Sequence, residues 1–182
     1  MMINIKLKAL ERIESFTKKK IMVLDDWGPF DDGFEEISLS KGSEDEVHLW
    51  LAETLENKNV ARILDVVTLD ELGKILFQER QTVSTPASLV KLPKDFYQRV
   101  KILRNNLKNS RDLSALDQLR KVDQFINEIV SIRIRKIIQL AFLGINDQNV
   151  LDRMTGEEIL VFKMVKYVIE KGIGELFGNS AS

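Results

Sequence analysis

The segment that decides the fold is residues 113–143, which read LSALDQLRKVDQFINEIVSIRIRKIIQLAFL. Apolar side chains recur there at intervals of three and four, the spacing of one face of an α-helix. The members of this stripe are Leu116, Leu119, Val122, Ile126, Ile129, Val130, Ile137, Leu140 and Ala141. We therefore predict a single helix, the longest element of the chain, over the whole segment.

Two helical segments carry apolar side chains on more than one face. In the long segment, a second stripe of Ile134, Ile138 and Phe142 lies beside the first. Thr155 and Glu158 form a capping-box pattern before a final helix over residues 159–173, whose polar strip is narrow. A helix that is apolar nearly all round must be buried nearly all round. A helical unit of about 110 residues has too little mass to cover two faces of each of these two helices.

The uncovered apolar surface predicts an oligomer, because large apolar interfaces are typical of obligate assemblies. We expect the contacts to come from residues 113–143 and 157–176. The side chains expected at a subunit interface are Ile126, Ile129, Val130, Arg133, Ile137, Ile138, Phe142, Ile159, Phe162, Val165 and Ile169.

Arg133 interrupts the apolar stripe of the long segment between Val130 and Ile137. A lone charge at such a position is costly to bury, so this side chain should have a partner. Two interpretations remain open: the guanidinium extends to the edge of the domain, or it forms an ion pair with another subunit.

Two earlier patterns predict further helices in the second part of the chain. A capping box of Thr68 and Glu71 opens a helix that continues to Arg80. Residues 81–90 are polar and without a period, and we interpret them as a linker. Pro93 suits the first position of the next helix, with Asp95 in its first turn.

Residues 1–64 are predicted to form a small strand-rich domain with one short helix. Short apolar runs at residues 21–24, 37–39 and 60–64 predict strands. Residues 3–7 alternate like a strand although the positions up to Ile13 also suit a helix, and we favour the strand. Ser43 and Glu46 form a capping-box pattern that predicts the short helix from there to Leu55.

The predicted fold class is therefore α+β and mostly α, with a β-rich domain over residues 1–64 and an all-α domain of about four main helices over residues 65–182. The charge changes sign between the two parts. Residues 1–90 carry 11 Lys and Arg against 17 Asp and Glu, whereas residues 91–182 carry 16 against 11. This change supports two structural units.

Composition excludes several functional classes. The chain of 182 residues has no cysteine, so disulfides, thiolate nucleophiles and thiolate metal sites are excluded, and a reducing cytoplasm is the expected compartment. The net charge of −1 offers no general attraction to nucleic acid or anionic lipid. No apolar run reaches the roughly 18 residues of a membrane span, and charges at Lys6 and Lys8 argue against a signal peptide.

Catalytic chemistry is difficult to assemble from this sequence. The single histidine, His48, lies among apolar residues and suits a helix side chain better than a base or ligand. The acidic doublets at residues 25–26, 31–32 and 35–36 lack the alternation of a calcium loop and suit a solvated loop. No phosphate-binding glycine loop is present. We predict no enzyme activity, no cofactor and no metal site.

A basic cluster lies between residues 91 and 111. Its members are Lys91, Lys94, Arg99, Lys101, Arg104, Lys108 and Arg111. Such a cluster could contact phosphates, most directly through Lys94, Lys101, Arg104 and Lys108, with salt-sensitive and sequence-independent affinity. The alternative is a solvated helix face, which the lack of interleaved aromatic residues favours. A stand-alone DNA-binding module is therefore the second functional hypothesis.

Five aromatic side chains are expected at a partner contact or at the seam between the domains. They are Trp27, Phe30, Trp50, Phe96 and Tyr97. Trp50 suits the core of the small domain or its seam with the helices. Trp27, beside a Gly-Pro pair, suits a core position or an exposed anchor equally well.

The order of five motifs resembles the GINS family of DNA replication. These motifs are Asp25-Asp26-Trp27-Gly28-Pro29-Phe30, Leu49-Trp50-Leu51-Ala52, Glu79-Arg80, Leu92-Pro93-Lys94-Asp95-Phe96-Tyr97, and Arg133-x-x-Lys136-Ile137. A β domain before the helical domain is similar to the branch of the second and third Partner-of-Sld-Five subunits, in an archaeal form. His48 departs from that branch, whose eukaryotic members tend to have proline before the Leu-Trp pair.

The resemblance implies a structural rather than a catalytic role. It implies a heterotetramer of two copies of this chain with two of the opposite-order subunit. It also implies a link between the MCM helicase and a RecJ-like protein at the replication fork, contact with primase or polymerase, weak or indirect contact with DNA, and association with the chromosome.

Overall fold

The computed structural model describes residues 2–110 and 112–176, and it divides the chain into two compact units between Val66 and Val67. The first unit contains α1 (Met2–Ser15), β1 (Lys18–Val23), β2 (Trp27–Asp31), β3 (Glu36–Leu39), β4 (Glu44–His48), α2 (Leu49–Asn57) and β5 (Ala61–Ile63). The second contains α3 (Leu69–Gln81), α4 (Phe96–Asn109), α5 (Leu113–Phe142), α6 (Gln148–Leu151) and α7 (Gly156–Leu176). The predicted class, α+β and mostly α, is confirmed.

The first unit is built on a three-stranded antiparallel sheet of order β4-β1-β5. Ile21 and Val23 of β1 point inward and are buried together with Ile63 of β5. Leu51 and Leu55 of α2 are buried as well. The short apolar runs that predicted strands at residues 21–24 and 60–64 therefore reflect one buried face of this sheet.

The second sheet has two strands, β2 and β3, and the Gly28-Pro29 pair lies inside β2 rather than in a turn. Trp27 pairs with Leu39 and Phe30 with Ile37, with an irregularity between them. Gly28 has φ of +112°, and a Cβ there would lie 2.6 Å from the Ile37 carbonyl oxygen. Glycine is thus required at this point of the bulged strand.

Three local expectations are wrong, and in each case packing outweighs the local signal. Residues 3–7 lie in α1 rather than in a strand, because Leu7 and Leu10, three apart, are less exposed than Ile5. Glu46 lies in β4 opposite Lys20, so the expected capping box opens no helix, and α2 begins at Leu49.

The third wrong expectation concerns the start of α4, which begins at Phe96 rather than at Pro93. Asp95 is its N-cap residue and makes no side-chain capping bond. Leu92, just before, is 2% exposed, so the preceding segment enters the core instead of coiling into the helix.

The helical unit has two buried clusters along α5. The first joins α3, α4 and α5 through residues such as Leu76, Phe96 and Ile129. The second joins the end of α5 to α7 through residues such as Ile137, Leu140 and Phe162. The long predicted helix is confirmed within one residue at its end. No helix in the described part of the chain is both long and apolar enough to cross a membrane.

Replacing Gly28 tests the packing of β2 on β3. We expect Gly28→Ala to destabilise the first unit by more than the roughly 1–3 kcal/mol of a strained backbone, because the new Cβ also meets the Ile37 carbonyl. Gly42→Ala is the matched control, since Gly42 has φ of +84° but open space around it. Urea unfolding followed by tryptophan fluorescence measures both. Equal losses of unfolding free energy for the two variants would contradict the close approach of Gly28 to the Ile37 carbonyl.

Candidate assembly interface

The helical unit is organised around the guanidinium of Arg133, which is fully buried. Its Nε and Nη2 atoms donate to the two oxygens of Glu158 at 2.6 and 2.8 Å. Its Nη1 donates to Glu79 at 2.5 Å and to the Val90 carbonyl at 2.8 Å. Nη2 also donates to the Arg153 carbonyl at 3.1 Å. All five N–H groups of the side chain are therefore used.

Lys136, one turn further along α5, completes the same network. Its ammonium donates to Glu79 at 2.7 Å, to the Thr82 hydroxyl at 2.9 Å and to the Ser88 carbonyl at 2.9 Å. Glu79 and Lys136 are both fully buried. Two cations and two carboxylates thus balance inside the protein, and each Lys136 proton has an acceptor.

Glu158 joins this network to the start of α7. Its backbone N–H donates to the Thr155 hydroxyl at 3.3 Å, while its carboxylate accepts from the Thr155 N–H at 3.0 Å. This reciprocal pair is the capping box predicted from the sequence. The carboxylate also accepts from the Tyr97 hydroxyl at 2.7 Å, and burial together with Glu158 raises the pKa of Tyr97. Tyr97 therefore remains a proton donor.

Both sequence interpretations of Arg133 are wrong. The side chain neither extends to the domain edge nor reaches another subunit, because its partners Glu79 and Glu158 come from α3 and α7 of the same chain. Burial alone lowers the pKa of Arg133, but the hydrogen bond to Glu158 and the two carboxylate charges outweigh it and raise the pKa. The guanidinium is charged, and the network holds the expected linker in place.

An exposed apolar surface lies at the end of α5. Phe142 is 70% exposed and Leu143 61% exposed, and Ile138 one turn earlier is 44% exposed. With Pro86 and Ile169 they line a groove of about 440 Å³. We call this surface the α5-end face, defined by Pro86, Ile138, Phe142, Leu143 and Ile169. Nothing in the described part of the chain covers it, which matches the surplus of apolar side chains in the sequence.

The outer side of α7 adds to the apolar surface of the unit. Tyr167 and Val168 are 59% and 66% exposed. They lie next to Ile169 in the chain, which lines the α5-end face. The two helices that the sequence analysis singled out as over-apolar thus both present large exposed apolar side chains.

The eleven residues predicted for a subunit interface do not share one environment. Four of them are buried within the chain and have no surface to offer: Ile129, Arg133, Ile137 and Phe162. Five are partly buried: Ile126, Val130, Ile159, Val165 and Ile169. Two are exposed: Ile138 and Phe142. These four offer no exposed surface for the expected subunit contact, because Ile129, Arg133 and Ile137 of α5 and Phe162 of α7 all lie in the interior of the helical unit.

Three of the five predicted aromatic contact residues lie together in the first unit. The Trp27 and Phe30 rings are 5.2 Å apart, and Phe30 and Trp50 are 6.4 Å apart. Both tryptophans are partly buried, and Phe30 is 38% exposed. Phe96 and Tyr97, in the helical unit, lie in or against its core.

The single histidine pairs with a carboxylate of the β2–β3 loop. His48 Nδ1 lies 2.8 Å from Asp32 Oδ2, and the Asp32 side chain is fully covered. The other oxygen of Asp32 accepts the backbone N–H groups of Phe34 and Glu35, each at 2.9 Å. These two bonds and His48 hold the pKa of Asp32 below its usual range. The pair therefore fastens the loop to the start of α2.

The basic cluster is partly engaged in internal contacts. Lys94 donates to the Met154 carbonyl at 2.9 Å, and Arg104 forms an ion pair with Asp123 at 2.6 Å. Lys101 and Lys108 are exposed, and Arg111 lies outside the described residues. Two of the four side chains expected to contact DNA thus serve packing within the helical unit.

Among residues 2–110 and 112–176, no group of three or more His, Asp and Glu is placed to hold a metal ion.

Sequence reasoning missed Glu79 as the partner of Arg133 and Lys136. A signal was available, because Glu79 follows Leu72 and Leu76 on the buried side of α3 at helical spacing. An acid on one apolar stripe and a base on another predict each other, since neither is tolerated alone in a core. Two motifs of the family resemblance, Glu79-Arg80 and Arg133-x-x-Lys136, meet in this contact.

A helical bundle with internally balanced charges and a surplus of exposed apolar side chains is the architecture of an assembly subunit. A sequence model of the GINS complex protein helical bundle domain matches residues 66–177, more than half of the chain. The protein therefore belongs to the GINS family, and it is a GINS complex subunit of DNA replication with other GINS subunits as its partners. No curated protein matches the chain.

Removing Arg133 tests the buried network. We expect Arg133→Met to destabilise the helical unit by about 3–5 kcal/mol, because Glu158 is left buried without a cation. Arg80→Met is the matched control, since Arg80 also forms an ion pair with a glutamate, Glu128, but is 56% exposed. Its loss should be about 0–1 kcal/mol. Urea unfolding followed by far-UV circular dichroism measures both, and similar losses would show that the network does not hold the unit together.

The Asp32 contacts predict an acid-dependent loss of stability in the first unit. Because the folded pKa lies below the unfolded value of about 3.9, the contribution is present above that pH and is lost as pH falls through the folded pKa. We expect Asp32→Ala to unfold more easily than the unmodified protein at pH about 7, with the difference shrinking below pH about 4.

Both tryptophans lie in the first unit, so their fluorescence during urea unfolding reports this difference. Asp25→Ala is the control, because the Asp25 side chain is 73% exposed and its ion pair with Lys41 is long, at 3.8 Å. A pH-independent difference for Asp32→Ala would rule out the carboxylate as its source.

Proposed function

We propose that this protein is the GINS subunit in which a strand-bearing unit precedes the helical unit, and that it acts by assembly rather than by catalysis. In this proposal two copies of the chain join two copies of the opposite-order subunit. The tetramer connects the MCM helicase with a RecJ-like protein at the replication fork, where primase or polymerase is a further partner. Its place in the cell is at the chromosome.

The observation that carries the proposal is the α5-end face. An isolated chain that leaves Phe142 and Leu143 more than half exposed beside Ile138 has an apolar surface that water does not favour. Such surfaces in subunits of stable complexes are covered by another chain. The proposed occupant is the helical unit of the opposite-order subunit.

The order of the two units supports the choice of subunit type. The unit with all five strands of the described residues comes first, and the family match begins at residue 66, one residue before the helical unit. This order is the one that the sequence resemblance associates with the second and third Partner-of-Sld-Five subunits. The acidic first half of the chain suits a basic face on a replication partner.

Native mass measurement tests the assembly. We expect the chain mixed with an opposite-order GINS subunit to elute as one species with the mass of a two-plus-two complex, measured by size-exclusion chromatography with light scattering. A monomer in both the single and the mixed sample would overturn the proposal.

Substitution of Phe142 locates the contact. We expect Phe142→Ser to weaken assembly at least about tenfold, because a large exposed aromatic side chain is typical of an interface anchor. Phe77→Ser is the matched control, since Phe77 is 64% exposed but lies on α3, away from the α5-end face. Dissociation constants from sedimentation of the mixtures measure both. Equal weakening would show that Phe142 has no special place in the contact.

A further inference from the structure

A second groove lies on the helical unit between α3 and the first half of α5. Its volume is about 700 Å³, and it is lined by both helices. We call it the α3–α5 groove, defined by Leu69, Gly73, Lys74, Phe77, Lys121 and Phe125. Phe125 and Phe142 are separated by 17 positions of one helix, or about 25 Å along its axis at 1.5 Å per residue. The groove is therefore distinct from the α5-end face.

The groove has an apolar floor with one exposed aromatic side chain. Leu69 and Phe125 are partly buried against the core of the unit. Phe77 contributes a ring that is 64% exposed. At one end, Arg80 of α3 and Glu128 of α5 form two bonds of 2.6 and 2.7 Å that tie the helices together. The two helices that form the walls of the groove are thus joined at one end, and the apolar floor suits an apolar side chain of a ligand.

Gly73 is in the middle of α3 although the fold does not require a glycine there. Its backbone is not in the left-handed region, and an added Cβ would lie 3.6 Å from Phe125, an ordinary contact. A glycine inside a helix is less stable than alanine by roughly 0.5–1 kcal/mol. What the missing side chain does provide is space, since it leaves the floor beside Phe125 open.

The rim of the groove is more basic than acidic. Lys74 and Lys121 are exposed, and neither forms an ion pair with a residue in the described ranges. Asp70, in the first turn of α3, is the one acid among the lining residues. Two cations beside an apolar floor complement a ligand that carries carboxylates around an apolar side chain.

We propose that the α3–α5 groove binds an acidic segment of a partner protein, which inserts an apolar or aromatic side chain beside Gly73 and Phe77. The carboxylates of the segment face Lys74 and Lys121. This surface goes beyond the assembly role, because it leaves the α5-end face available to another subunit. It gives the subunit a place to hold a flexible acidic segment of a protein that works beside it.

Fluorescence anisotropy with labelled peptides tests the proposal on the full chain. The probe is a peptide of about twelve residues with a central Phe-x-x-Leu surrounded by Asp and Glu. The matched probe has Lys in place of every acid. We expect the acidic peptide to bind at least about tenfold more tightly than the basic one, with affinity falling as salt is raised.

Three variants of the chain locate the binding. The double variant Lys74→Glu with Lys121→Glu should weaken the acidic peptide at least about tenfold, whereas Lys163→Glu, an exposed charge reversal on α7, should leave it within about twofold. Gly73→Leu should also abolish binding, because its side chain fills the groove. Leucine favours helix over glycine, so unchanged or raised thermal stability of this variant would show that the loss is not unfolding.

The remaining outcomes each overturn the proposal. Equal binding of both peptides would mean that the charge of the groove does not select an acidic ligand. The same conclusion would follow if Lys163→Glu weakened the acidic peptide as much as the double variant does. Self-association that Phe77→Ser removes would assign the groove to a second copy of this chain.

Assembly with the opposite-order subunit is measured separately by native mass. A tetramer without peptide binding would therefore contradict only the groove proposal. Peptide binding without a tetramer would contradict only the proposed assembly role.

Discussion

The helical unit depends on one constraint, which is that the charge of Arg133 must be matched inside the protein. Its guanidinium is fully buried near the middle of the longest helix, and leaving it without carboxylates would cost several kcal/mol. Glu79 from α3 and Glu158 from α7 meet this need from two sides. A three-helix arrangement follows, because the two ion pairs attach α3 and α7 to the same point of α5. An apolar core alone would tolerate sliding by a turn far more easily.

The same constraint orders a segment that has neither helix nor strand. Residues 81–90 were expected to form a linker, yet the Ser88 and Val90 carbonyls accept from Lys136 and Arg133. The Val90 N–H donates to Glu79 at 2.9 Å. Leu89 and Leu92 are then buried on either side, at 1% and 2% exposure. Because backbone groups without partners are costly in a core, the network both permits and directs the burial of this irregular stretch.

The elements that were predictable from the sequence are those whose signals are local. The period of α5 and the two capping boxes at Thr68 and Thr155 depend on residues close in the chain, so they were predictable to within a few positions. The elements that were missed depend on distant partners. Glu46 lies in a strand in which Lys20 is its partner. Residues 88–90 stay outside a helix, where cations of α5 bond the Ser88 and Val90 carbonyls. The pairing of Arg133 with Glu79 spans 54 positions of the chain, and only a comparison of charged residues on separate apolar stripes could have suggested it.

The helix α5 has three environments along its length, and they explain why its apolar pattern is broader than one core needs. In its first half, Phe125 forms the floor of the α3–α5 groove. About two turns further on, Arg133 and Lys136 are enclosed by the ionic network. At its end, Ile138 and Phe142 face outward. The α3–α5 groove and the α5-end face therefore lie before and after this internally paired segment of the helix. The segment around Arg133 and Lys136, which is paired within the chain, connects the two surfaces. A change that loosens the network would thus disturb both surfaces without touching either one.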